Sequence, residues 1–108
     1  MSHRRHELDD LISHPVRFSI VALLAAADRA EFSFVRDQVE VSDSVMSKQM
    51  SALEDAGYVR VHKGYVENRP RTWISLTSLG RRTFERHLDA LREIAAGNVQ
   101  RRAAMPAS

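Results

Sequence analysis

The change of hydrophobic period at Gly57 limits what this chain can fold into more than any other feature of it. Before that glycine, Met46, Met50 and Leu53 recur at steps of four and three, with Ala56 extending the stripe. This spacing predicts a helix over residues 43–56. Ser42 stands where its hydroxyl can accept a bond from an unpaired backbone N–H of the first turn. Gly57 is the residue type that most easily adopts the left-handed conformation ending a helix. Beyond it, Val59 and Val61 alternate with Arg60 and His62, and Thr72, Ile74 and Leu76 alternate with Trp73 and Ser75. These two runs predict the strands of a hairpin.

The polar side of the 43–56 helix is unusual in composition. It carries Ser44, Val45, Ser47, Lys48, Gln49 and Ser51, where a merely solvated helix would carry more Glu and Lys, which are better helix formers than Ser. Short hydroxyls let a backbone approach a partner closely, and a glutamine amide can bond both edge groups of adenine in a major groove. The segment therefore reads as a DNA recognition helix, against the alternative of a serine-rich helix with no partner. Residues 58–82 strengthen that reading, because Arg60, Lys63, Arg69, Arg71, Arg81 and Arg82 face only Glu67 in charge. A cationic segment directly after such a helix is an electrostatic footprint for phosphate.

The rest of the chain supplies a scaffold. Residues 1–6 are expected to be flexible, and Glu7 to Ser13 to form a short helix with Leu8, Leu11 and Ile12 on one side. That helix must stop before Pro15, which disfavours helical backbone in the residue preceding it and suits the first turn of a new helix. The new helix would bury Val16, Ile20, Leu23, Leu24 and Ala27, flanked by Phe18 and Val21. Glu31-Phe32 can add a short strand, and Ser33 can cap a helix to about Val39 with Phe34, Val35 and Val39 inward. Glu40-Val41-Ser42 then forms the short turn that a helix-turn-helix requires. Residues 63–71 read as a basic tip between the strands, from which an arginine can enter a narrow minor groove.

Thr77 is expected to cap a last helix, from Ser78 to about Ala96. Phe84, Leu88, Leu91 and Ala95, broadened by Ile94, give it an apolar seam. Since earlier elements already supply a core, the seam is expected to pair with a second subunit, together with Leu8, Leu11 and Ile12. The competing arrangement packs it back on its own domain. The expected organisation is one domain over 7–96 and a flexible basic tail over 97–108, containing Arg101 and Arg102.

The remaining constraints are exclusions. With 44% hydrophobic and 28% charged residues the chain is globular, and the lack of cysteine removes disulfides, thiolate metal sites and a cysteine nucleophile. The apolar run Ile20 to Ala27 is too short to span a bilayer, and the N-terminus turns acidic at Glu7, Asp9 and Asp10 instead of following a signal-peptide pattern. A cytoplasmic protein without a membrane partner is expected. The four glycines are isolated, so no phosphate-cradling loop exists, and no catalytic triad is identifiable. Neither enzymatic activity nor a cofactor is expected. His3 and His6 could join Asp10 on one helical face at a spacing compatible with zinc, but read better as solvated residues.

Three patches resemble bacterial winged-helix transcriptional regulators of the MarR and ArsR type: His14-Pro15-Val16-Arg17-Phe18-Ser19-Ile20, Ser42 to Val59, and Arg69 to Gly80. The pattern Ser47-x-x-Met50-x-x-Leu53-Glu54-x-Ala56-Gly57-Tyr58-Val59 is the most specific. The fold class implied is mainly α with a small β-hairpin, a winged helix-turn-helix with terminal helices forming a dimer interface. The resemblance further implies a homodimeric repressor on a pseudo-palindromic operator of double-stranded DNA, released by a small-molecule effector in a cleft between the dimer helices and the winged domain. Carried over by position, Ser42, Ser44, Val45, Ser47, Lys48 and Gln49 meet DNA through the helix, and Lys63, Arg69 and Arg71 through the wing. The alternative is a protein-interaction module that keeps the fold without reading DNA. Two features depart from the pattern. Glu40 replaces a frequent glycine, implying a left-handed non-glycine residue at about 1 kcal/mol, and Val45 and Gln49 stand where relatives often have a polar residue and histidine. Glu85-Arg86-His87 is similar to half of the helical metal pair of ArsR-type sensors, without a second histidine.

Overall fold

Local signals at the chain's prolines, caps and glycines set the element boundaries. In a computed structural model of the protein, residues 3–97 are described. Pro15 opens α1 (Pro15–Ala25), where His14 Nδ1 accepts the Val16 N–H at 3.2 Å. A two-residue strand, β1 (Ala30–Glu31), leads directly into α2 (Phe32–Gln38). Ser42 caps α3 (Asp43–Asp55), its hydroxyl accepting the Val45 N–H at 3.2 Å. Then come β2 (Val59–Val66), β3 (Arg69–Leu76) and α4 (Ser78–Ala96), the last capped by Thr77, whose Oγ1 accepts the Gly80 N–H at 3.0 Å.

The strands form an antiparallel sheet in the order β1-β3-β2, so the short strand adds to the expected hairpin. The register runs from Val59 opposite Leu76 out to Val66 opposite Arg69. The expected nine-residue tip is therefore strand almost throughout. Only Glu67 and Asn68 form the turn, with φ of 52° and 65°, as a two-residue loop matched to strand twist requires.

One core joins these elements. Ile20, Val21 and Leu24 of α1 meet Val35 of α2, Met46, Met50 and Leu53 of α3, Val59 and Ile74 of the sheet, and Phe84 of α4. Phe18 lies against Phe84, with ring centroids 5.7 Å apart at a tilted angle favoured for aromatic pairs. On α2 and its C-cap the inner positions are Phe32, Val35 and Val39; the helix begins at Phe32 behind Glu31, two residues earlier than a Ser33 cap implies, and Phe34 points outward, 51% exposed.

The N-terminal segment differs from expectation. Residues 7–13 are not a helix. Arg4–Glu7 is a 3-10 turn docked on α4, with Arg4 paired to Glu93 at 2.9 Å and to Glu7 at 3.0 Å, so residues 3–6 are folded. The Asp9 carboxylate then accepts the N–H groups of Leu11 (3.0 Å) and Ile12 (3.2 Å), capping a single turn before the extended His14. Between that cap and Pro15 there is no room for a helix. Residues 98–108, most of the expected tail, lie outside the described residues.

Both ends of the helix-turn-helix close in the same way. At the end of α2, Val41 N–H bonds to Arg36 C=O and Glu40 N–H to Asp37 C=O; at the end of α3, Tyr58 N–H bonds to Leu53 C=O and Gly57 N–H to Glu54 C=O. Each is a Schellman closure around a left-handed residue. Gly57 has φ 77°, but the equivalent position of α2 is Glu40, with φ 58°. Glu40→Gly should therefore raise unfolding stability by about 1 kcal/mol, read as a higher urea midpoint at unchanged slope. Gly80→Ala should do the reverse. A Cβ there would lie 2.1 Å from the Tyr58 carbonyl oxygen, so a loss of about 2–3 kcal/mol or more is expected in the same measurement.

Candidate nucleic-acid interface

Helix α3 presents two chemically distinct sides. Met46, Gln49, Met50 and Leu53 are buried, and Ser44, Val45, Ser47, Lys48 and Ser51 are exposed. Between the exposed acids Asp43 at its start and Glu54 and Asp55 at its end, the open side carries hydroxyls, one apolar group and one long cation, behind an N-terminus whose N–H groups carry positive partial charge. Ser42 is exposed there as well, with its hydroxyl engaged in the cap and 3.2 Å from that of Ser44.

Gln49 corrects the expectation for this helix. It is 7% exposed, and its amide oxygen accepts a 2.7 Å hydrogen bond from Arg17 Nη1. A side chain so placed cannot lay its amide along a base edge. The error is one of face: Gln49 follows Met46 by three residues and precedes Met50, so it belongs to the inner stripe.

The wing residues divide by strand parity. Lys63 is exposed opposite Thr72, on the sheet face that farther back carries Val61 and Ile74. Arg69 is exposed opposite Val66, on the other face, with His62 and Trp73. Arg71 lies farther from the tip, half-buried, with Nη1 3.6 Å from Glu31 Oε2 on β1. Its charge is partly met within the sheet, whereas among the described residues no carboxylate pairs with Lys63 or Arg69.

A helix-turn-helix with an open second helix, followed by a basic two-stranded ribbon, is now in place. Residues 16–95 match the family described as winged helix DNA-binding domain. The chain belongs to that family. Among solved structures, it is similar to a transcriptional regulator homologue from Pyrococcus horikoshii OT3, at 24% identity and a TM-score of 0.82 over 92% of this chain and 99% of that one. It is also similar to NadR in complex with 4-hydroxyphenylacetate, at 24% identity and a TM-score of 0.69 over 93% and 72% of the two chains. Among curated proteins, it is 29% identical over 73 residues to the uncharacterized protein MJ0432 of Methanocaldococcus jannaschii, covering 68% of this chain and 79% of that protein. The family makes this a DNA-binding domain of the winged-helix type. Among the described residues no helix is long and apolar enough to cross a membrane.

The winged helix divides the expected dimer residues between two roles. Ile12 (1% exposed) and Phe84 (8%) belong to the subunit's own core, and Leu11 and Leu88 pack against it. The inner stripe of α4 is Gly80, Thr83, Phe84, His87 and Ala90, which leaves Leu91 half-buried and Ile94 and Ala95 exposed on an adjacent side. Leu8 is half-buried. Of the residues weighed for zinc, His3 Nδ1 instead accepts the Arg5 N–H at 3.0 Å.

Several polar residues that organise the site carry no strong sequence signal. Asp9 takes part in five hydrogen bonds: besides capping Leu11 and Ile12, it accepts from Tyr58 Oη at 2.6 Å and, at its carbonyl, from Ser13 Oγ at 2.8 Å, and donates its backbone N–H to His87 Nδ1 at 2.9 Å. Arg36 clamps the helix-turn-helix from outside, reaching Asp37 at 2.9 Å and Asp43 of α3 at 2.6 Å. The sequence signal that could have singled out Arg17 is that it is the lone charge in the apolar helix α1. Two open grooves also lie outside α3. One, of about 340 Å³, is bordered by Arg29, Arg60, His62 and Trp73, where the Arg29 guanidinium stacks 4.5 Å from the indole centroid; the other lies beside Arg81 and Arg82 at the start of α4.

His87 must be neutral to accept the Asp9 N–H. Burial lowers its pKa from the ordinary value, opposed by the Asp9 carboxylate, and burial followed by the Asp9 hydrogen bond raises that of the Tyr58 phenol. For His87 the folded pKa is below the unfolded one, so the neutral form contributes stability above about pH 6.5. As pH falls through that value the unfolded chain takes the proton first, and the contribution is lost toward the folded pKa. Chemical denaturation between pH 7.5 and 5 should show stability falling in the wild type and a flatter profile in His87→Gln.

Proposed function

We propose that this winged helix is a MarR/ArsR-like repressor that binds a pseudo-palindromic operator as a homodimer, one α3 in each major groove. The observation that carries the reading is the open side of α3, where Ser44, Val45, Ser47 and Lys48 are exposed behind the Ser42 cap. Short side chains there allow close approach to base edges and phosphates, and Lys48 supplies reach and charge. Lys63 and Arg69 contact the backbone or minor groove from the wing, and Arg71 supports the wing base. Two-fold symmetry of protein and operator would match.

The second copy docks on the free side of α4, through Leu91, Ile94 and Ala95 with Leu8. The 4-hydroxyphenylacetate in NadR belongs to that protein; by analogy, a small molecule between the dimer helices and the winged domain releases this repressor from DNA. A cytoplasmic location goes with that role. A second reading, a protein-interaction module, is favoured by the exposure of Phe34 (51%) and Tyr65 (79%).

Selection from random double-stranded DNA with the purified protein separates the two. An enriched palindrome supports the repressor, whereas unselective, weak binding supports the module. On the selected site, Lys48→Ala should relax preference at one or two positions by about 1–3 kcal/mol. Arg69→Ala should weaken all sequences alike and reduce the salt slope by about 0.9 for each phosphate that the arginine neutralises. Ile94→Asp should shift sedimentation toward monomer.

A further inference from the structure

We propose that Arg17 is a positioning residue for DNA reading: from α1 it holds Gln49 on the inner side of α3, and so sets how the open side of that helix is presented. The proposal rests on the operator-reading role of α3 given above and adds to it the residue that fixes the helix in rotation.

Apolar packing alone holds α3 loosely. Two of its three buried apolar residues are Met46 and Met50, unbranched and able to repack around a shifted backbone. Gln49 lies between them in the same stripe, and its bond from Arg17 is directional and charge-assisted. A helix turns 100° per residue, so a modest rotation that methionines tolerate would carry Ser44, Ser47 and Lys48 away from a groove. The Arg17–Gln49 bond resists that rotation.

Arg17 can act as a strut because its other end is fixed. It is the only charged residue of α1, and its Nε donates to the Leu11 carbonyl while Nη1 reaches Gln49. The Leu11 and Ile12 N–H groups are bound by Asp9, which is itself tied to Tyr58 after α3 and to His87 on α4. One planar guanidinium thus spans a braced turn and the recognition helix. A lysine at this position would have one point donor where two divergent ones are needed.

The test compares Arg17→Lys, Gln49→Met and Gln49→Glu in the full-length protein, by amide hydrogen exchange without DNA and by operator selection with it. Arg17→Lys and Gln49→Met should each speed exchange in α3 by about ten- to a hundredfold while the β2–β3 amides keep their protection. Each should lower discrimination of the operator from scrambled DNA by a similar factor, and combining them should cost no more than either alone. Gln49→Glu, which restores an acceptor for the guanidinium, should retain both α3 protection and the preferred sequence. Should Gln49→Met fail to fold, Arg17→Lys against Gln49→Glu carries the same comparison. Unchanged α3 exchange in the folded variants overturns the strut, whatever the DNA result. So does a Gln49→Glu protein that prefers a different base at one position, because that is the behaviour of a direct base contact. If exchange rises as expected but the wild type selects no sequence, the operator reading falls, and with it the claim that the strut serves DNA.

Discussion

The close approach of Gly80 to Tyr58 is the contact on which the arrangement of this protein depends. The Tyr58 carbonyl accepts the Thr77 N–H at 3.0 Å, Thr77 Oγ1 donates to the Gly57 carbonyl, and the backbone at Gly80 comes so near that a methyl group could not be placed between them. The end of α3, the start of β2 and the first turn of α4 are thereby joined at one point. Each group involved is also satisfying a terminus: Gly57 closes α3, and Thr77 caps α4. Helix α3, the β2–β3 ribbon and α4 are thus joined by backbone contacts as well as through the shared core.

A second set of bonds braces the opposite side of α3. Asp9 is not part of a regular element, and its carboxylate and backbone connect the turn that precedes α1 with Tyr58 and with His87 of α4. Buried polar groups of this kind are costly if left partly satisfied and specific when complete. Here the network accounts for the accepting, neutral state of His87 and for the fixed carbonyl on which Arg17 rests. The helix-turn-helix is consequently gripped by Arg36 from outside and by Arg17 from within.

Much of this was legible in the sequence because it is written in local signals. The caps at Ser42 and Thr77, Pro15 at a helix start, Gly57 at a helix end and the two-residue alternation after it each depend on neighbours in the chain, and each was found where expected. Glu40 in the left-handed region was foreseen for the same reason. The misreadings have a common cause, which is that exposure depends on residues distant in sequence. Gln49 is hydrophilic and yet inward, because a cation from α1 meets it there. Ile12 and Phe84 are apolar as an interface would require, but they fill the subunit's own core. The N-terminal turn failed as a helix because one aspartate cap and one proline left it no length. Pairings across the fold, such as Asp9 with His87, have no periodicity to reveal them.

Removing Gln49 from the open side of α3 leaves Lys48 as the only long polar side chain among Ser44, Val45, Ser47 and Lys48. Hydroxyls discriminate poorly between bases, since each can both donate and accept. In the proposed complex, sequence choice then falls largely on how readily a given duplex bends and narrows to meet two rigid heads. Operators differing at uncontacted central steps would be told apart by stiffness, with no residue touching them.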